Sequence, residues 1–189
     1  MDAVTATAQM TAEEFLAIPE RSTAIRLELV EGELVMHQPL WGHGRSQFVI
    51  GFALEEWSRG MPERGCAGPP IDVKLDDSNV YCPDVVWYAA GRVPRRGDPR
   101  PYAVPDLVVE IRSPSTWRFD IGAKKRNYEL HGARELWLVD TAADVVFAFR
   151  RSRPDAPRFD VSADFSSGDA LTSPLLPGFE LRVAAIFEE

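Results

Sequence analysis

Two carboxylates sit where strands are expected to bury everything else. Asp84 leads "PDVVWYA" and Glu110 lies late in "PDLVVEI", each among Val, Ile, Leu, Trp and Tyr, the residue types that favour buried strands. An ionised side chain is costly to desolvate, so each acid needs a partner, a cation or a route to water. If the two strands are neighbours, both acids converge at one end of a sheet. Hard divalent ions such as Mg²⁺ are held by one or two carboxylates together with water and phosphate oxygens. Such an ion lowers the pKa of a bound water and neutralises charge developing on a phosphodiester. A lysine or arginine close by then stabilises the transition state.

Two sources of that cation are visible. Arg112 lies two residues after Glu110, so on a strand both side chains share one face. Asp120, Lys124 and Tyr128 are spaced by four and form one row along a helix. Ile121 beside that row suggests that it looks toward the sheet, an unusual place for a lysine. Lys125 and Arg126 lie round the side, toward solvent or phosphate. Each residue also has a plainer reading. Asp120–Lys124 can be a surface pair of little worth, and Tyr128 can be packing between helix and sheet. Trp87 and Trp137 read as core aromatics. Glu28 can pair with Arg26 or Arg45 on an exposed hairpin, and His43 can cap or pack the helix it precedes.

The elements that must position these groups follow from pattern. "TAEEFLAIP" opens on a capping box, Thr11 to Glu14, and Pro19 stops the short helix. "IRLELVEGELVMH" alternates around Glu31-Gly32 as a hairpin. The segment from Arg45 to Ser58 suits a helix with Phe48, Phe52 and Trp57 near one face. "PPIDVKLDDSNVYCPDVVWYA" gives two strands joined at Asp76–Asn79, and "PDLVVEIRS" gives the next. "STWRFDIGAKKRNYELHGA" is a helix ended by Gly132. "ELWLVDTAADVVFAFRR" supplies two strands across Thr141–Asp144, and the tail a further hairpin and a last strand or short helix. This order is α/β: one domain over residues 1–189, with a mixed central sheet flanked by helices.

Composition limits the partners. The chain has 189 residues, 45% hydrophobic and 26% charged, as expected of a soluble globular protein. Cys66 and Cys82 have no zinc spacing and read as free thiols. The first residues, "MDAVTATAQMTAEEF", lack the basic and apolar regions of a signal peptide. No apolar run is long enough to span a membrane. A cytoplasmic location is expected. The net charge of −8 opposes binding to nucleic acid. Its distribution does not: from Gly91 to Glu135 ten Lys or Arg face six Asp or Glu, a balance of +4. The loop from Arg92 to Arg100, with Arg95 and Arg96, can meet phosphates or be only a solvated surface.

"PDVVWY", "PDLVVEIRSPST", the D-x-x-x-K-x-x-x-Y row and "ELWLVD", in that order, resemble the Uma-two family of restriction endonucleases within the PD-(D/E)XK nuclease superfamily. "TAEEFLAIPE", "LELVEGELV" and "SPLLPGFELRVAAIF" extend the likeness over nearly the whole chain. The resemblance implies a restriction-endonuclease-like (PD-(D/E)XK) core with extra N- and C-terminal strands. It implies a Mg²⁺ (or Mn²⁺) site at Asp84 and Glu110, with Glu28 as a third catalytic acid. The superfamily lysine two after the glutamate is Arg112 here, and an arginine cannot serve as a base. Lys124 is then the displaced lysine and Arg112 a phosphate clamp. His43, with Arg95, Arg96, Lys125 and Arg126, is expected to contact nucleic acid. The expected activity is metal-dependent hydrolysis of DNA, by a homodimer where both strands are cut. The alternative is a catalytically weak nucleic-acid-binding or assembly protein that keeps the fold.

Overall fold

The computed structural model describes residues 9–19, 26–37 and 39–188. The opening segment read above for a leader, residues 1–8, lies outside these. Helix α1 (Ala12–Leu16) starts on the expected capping box, with Thr11 and Glu14 bonding each other's backbone N–H. Strands β1 (Arg26–Val30) and β2 (Glu33–His37) form the hairpin. Its turn needs φ of +51° at Glu31 and +80° at Gly32, the latter a conformation suited to glycine.

Helix α2 (Trp41–Arg59) begins four residues earlier than the pattern suggests. Its packed side is Ile50 and Leu54 with the small Ser46 and Ser58, whereas Phe48 and Phe52 face outward. The segment expected to hold two strands holds three: β4 (Val73–Asp76), β5 (Asn79–Tyr81) and β6 (Val85–Tyr88). Cys82-Pro83-Asp84 is the break, and it carries the chain from one sheet into another. The remaining strands are β3 (Cys66–Gly68), β7 (Leu107–Ile111), β8 (Glu135–Asp140), β9 (Val145–Arg150), β10 (Val161–Ser166), β11 (Ala170–Leu171) and β12 (Leu181–Arg182). Helix α5 (Val183–Phe187) ends the described chain.

A six-stranded mixed sheet, β10-β9-β8-β7-β6-β3, is the centre. Within it β7 and β8 pair in parallel, joined by the helical crossover that follows β7. A four-stranded antiparallel sheet, β2-β1-β5-β4, stands beside it, and β11-β12 form a small pair. Alternation divides the core in two. Val85, Trp87, Leu107, Val109, Ile111, Trp137 and Val139 pack toward α2 and α5. Val108, Leu136 and Leu138 point the other way, onto Tyr128 of the crossover helix and Tyr81, Val30 and Val35 of the smaller sheet. Trp87 and Trp137 are core, as expected.

The crossover helix is not uniform. It runs as α3 (Trp117–Phe119), a π-helical turn (Asp120–Lys124) and α4 (Lys125–Leu130), and Gly132 follows at φ +88°. On a plain α-helix each step of four residues drifts by about 40°, so Tyr128 would stand roughly 80° away from Asp120. The wider π turn absorbs that drift. Asp120, Lys124 and Tyr128 are accordingly all buried, while Ile121, expected to mark the packed side, is exposed.

Candidate active site

Four carboxylates from four elements meet where the two sheets and the crossover helix join. Glu28 comes from β1, Asp84 from the link into β6, Glu110 from β7 and Asp120 from the π turn; none is more than 3% exposed. Strands β6 and β7 are antiparallel neighbours, and Asp84 N–H bonds Val109 O at 3.0 Å. The acid that heads one strand therefore lies beside the acid late in the next.

Lys124 is the hub. Its ammonium, 1% exposed, lies 2.7 Å from Glu110 Oε1, 3.0 Å from Glu28 Oε1 and 3.1 Å from Asp120 Oδ1. The surface pair weighed for Asp120–Lys124 is thus a buried one. Tyr128, read above as packing, donates its hydroxyl to Glu110 Oε1 at 2.6 Å. Asp84 sits on the rim between the two faces of the sheet. Its Oδ2 accepts Ile111 N–H at 2.7 Å, and its Oδ1 is shared by His43 Nε2 at 2.9 Å and the Arg26 guanidinium. Ser113 Oγ lies 3.3 Å from the far ring nitrogen of His43. Glu28 accepts Cys82 N–H at 2.7 Å and lies 2.6 Å from His37 Nε2.

Among the described residues two permanent cations, Lys124 and Arg26, serve these four acids. The shortfall decides the protonation of the cluster. Burial would raise Glu28, but Lys124, His37 and the Cys82 N–H outweigh it and bring the carboxyl to about 2. Burial likewise opposes Asp84, and His43, Arg26 and the Ile111 N–H hold it low. Glu110 goes well up: burial is the larger cause, Lys124 opposes it, and repulsion from Glu28, Asp120 and Asp84 adds to it. Asp120 rises to about 6 for similar reasons. Burial would discharge Lys124, yet the carboxylates of Glu110, Glu28 and Asp120 hold its proton well above the usual lysine range. It is a fixed positive charge, not a base.

Among the described residues no three His, Cys, Asp or Glu side chains are grouped to hold a metal ion. The donor set that fits is the smaller one. Asp84 and Glu110, on adjacent strands within a cluster short of positive charge, match the one or two protein carboxylates that Mg²⁺ takes.

The other expected site residues are dispersed. Arg112 turns from the cluster and grips Asp140 at 2.8 and 2.9 Å. His43, expected to meet nucleic acid, is buried beside Asp84. Arg126 pairs with Glu31, and Lys125 sits 3.7 Å over the Phe149 ring. Within the basic loop Arg92 pairs with Asp106 and Arg100 with Asp72, while Arg95 and Arg96 are exposed. His37, Tyr128 and Arg26 are the members that pattern reading missed. Tyr128 had its place in the helical row, and His37 had a signal too: the hairpin pairs Glu28 with Val35, which puts His37 diagonally beside Glu28 on the same face.

A mixed sheet with an acid at the head of one strand, an acid late in its neighbour and a lysine reaching the second from the next helix is a restriction-endonuclease-like fold. The chain belongs to the Uma2 family, described as "putative restriction endonuclease", whose profile matches residues 12–184. It is similar in structure to a protein of Anabaena variabilis described as "a putative nuclease belonging to DUF820". That likeness has a TM-score of 0.77 at 19% identity and covers 94% of this chain and 97% of the other, so it is a likeness of fold. None of the curated proteins matches the chain. Among the described residues no helix is long and apolar enough to cross a membrane.

Proposed function

We propose that the protein is a divalent-metal-dependent endonuclease that hydrolyses DNA phosphodiester bonds, with Asp84 and Glu110 as the cation's ligands and Lys124 as the positive charge facing the reaction. The observation that carries this reading is the buried Lys124 ammonium, 2.7 Å from Glu110 and 3.0 Å from Glu28. When bound, Mg²⁺ or Mn²⁺ supplies an activated water and neutralises charge on the phosphate. The chain's own residues do the positioning. Tyr128 O–H and Lys124 fix Glu110, while Ile111 N–H and His43 fix Asp84. Glu28 anchors Lys124, so the ammonium is oriented before substrate arrives and costs no reorganisation later. Lys124 takes the part that the superfamily gives to the strand residue, here Arg112. Arg95, Arg96, Lys125 and Arg126 contribute sequence-independent attraction for the DNA backbone, and a homodimer would pair two sites for cutting both strands.

Incubation of purified protein with supercoiled plasmid in Mg²⁺, Mn²⁺ or EDTA tests the reading. Nicking with metal that EDTA and Glu110→Gln each abolish is expected; equal nicking by Glu110→Gln would sink the assignment. One observation favours the alternative of a nucleic-acid-binding protein that has lost catalysis. Tyr128 and Lys124 both occupy Glu110 Oε1, an arrangement that also serves as a purely structural network. DNA binding without cleavage under either metal is the outcome that selects it.

A further inference from the structure

Asp84 has a second side that the cluster does not use. A groove of about 510 Å³ runs between α2 and the edge strand β3, with Asp84 and Val85 at its floor. That volume is in the range of small-ligand sites. Its outer wall is Phe48 and Phe52, 69% and 60% exposed, with rings 6.3 Å apart and 19° from parallel. Two glycines of the helix keep it open, Gly44 and Gly51, where a Cβ would meet nothing or only Val85 at 3.9 Å. Glu55 also lines it, but its charge is met by Arg59 at 2.7 Å.

Positive charge lies at one end and round the sheet edge from the other. Past Gly44 and Phe48 the groove meets a hollow lined by Trp41 and Arg45. Across Gly68 and Pro69 it adjoins another that carries Arg95 and Arg96. Flat exposed aromatic rings, with a guanidinium at one end and two more round the edge strand, match a nucleic-acid strand whose bases stack while its phosphates meet cations. A duplex cannot use these walls, because its base faces are hidden in the stack.

We infer that this groove binds the bases of an unpaired strand, so that the protein acts on single-stranded or locally melted DNA. The role given to Asp84 rests on the nuclease reading, while the binding claim stands on the groove. Two variants probe it from opposite directions. Phe48→Ala with Phe52→Ala removes the stacking wall, and both rings are exposed, so folding is spared. Gly44→Leu fills the groove, since a Cβ there meets nothing within 4 Å and the change favours the helix.

The experiment is fluorescence anisotropy with a labelled single-stranded oligodeoxynucleotide and its duplex, in EDTA, alongside cleavage of both in Mg²⁺ and a sedimentation measurement of assembly state. Wild type is expected to bind and cut the single strand in preference. Each variant should lose about tenfold or more in single-strand affinity, as for lost base stacking, with duplex affinity unmoved and circular dichroism unchanged. Loss of single-strand binding in the variants when wild type cuts nothing would uphold the groove and sink the nuclease. Cleavage of duplex and single strand alike, with affinities intact in both variants, would overturn the inference and leave the nuclease standing. A wild-type dimer that the double phenylalanine variant dissociates, with DNA affinity intact, would also overturn it and make this face a subunit contact.

Discussion

Asp106 and Glu110 stand four residues apart on one stretch of chain, and both are buried. Their surroundings differ in kind. Asp106 accepts Ala89 N–H at 2.9 Å and is flanked by Arg92 at 2.6 Å and Arg134 at 3.8 Å. It binds a strand end and a loop together, and its charge is met. Glu110 shares a single lysine with Glu28 and Asp120 and has Asp84 nearby. Burial alone therefore does not set the two acids apart. The ratio of acids to cations does, because a cluster left short of positive charge accommodates a further cation or a proton.

The largest effect that would test this contrast comes from the shared lysine. Lys124→Met keeps the stem and removes the charge, stranding three acids. A stability loss of about 3–5 kcal/mol is expected, as for breaking a buried ion pair. Nicking per folded molecule should fall about a hundredfold or more. Denaturant titration and a plasmid assay read the two; unchanged nicking would remove Lys124 from the chemistry.

The two acids themselves should then respond in opposite senses. Asp106→Asn should cost about 1–3 kcal/mol, since buried donors lose a charged acceptor, and should leave DNA cleavage intact. Glu110→Gln relieves repulsion, so the metal-free protein should be as stable as wild type or more so, yet inactive. Melting curves of the pair decide it. A destabilised Glu110→Gln that still cuts would erase the distinction.

Acid titration offers a finer test. Asp120 has a folded pKa of about 6 against an ordinary 3.8. A raised carboxyl contributes stability that is full below about pH 4 and lost as pH rises through 6. Asp120→Asn should thus flatten the stability profile between those limits and gain on wild type at neutral pH. The same slope in both proteins would assign the titration elsewhere.

The smallest effect belongs to Arg112. Its pair with Asp140 is partly exposed, so Arg112→Ala should cost less than about 1 kcal/mol. Cleavage should persist with weaker DNA binding, visible as a raised KM. A complete loss of turnover would return the catalytic cation to the strand.

Much of this was legible in the residues because it rests on local spacing. The capping box, the Glu31-Gly32 turn, the β8–β9 hairpin and the Asp120–Lys124–Tyr128 row all follow from a few neighbouring positions. Adjacency of Asp84 and Glu110 followed from two apolar runs with one loop between. What escaped depends on contacts distant in sequence. Arg26 became a partner of Asp84 only because the smaller sheet leans on the larger. The division of "NVYCPDVVWY" into β5 and β6 is invisible to periodicity, since both halves are apolar. Ile121 misled for a related reason: a regular helix was assumed where the turn is wider.

That wider turn makes the site depend on counting. Gly122, with open space where a Cβ would stand, and the partly exposed Ala123 lie in it and take no part in the cluster's hydrogen bonds. Gly122 could be replaced by many residue types and Ala123, which packs on the core below, by small ones. Removing either one is different: it would restore a plain α-helix and swing all that follows through about 100°. Tyr128 would leave Glu110, and Asn127 would lose Tyr81 and Asn79. In a lineage of such chains, position 122 should vary in letter while the turn keeps its length.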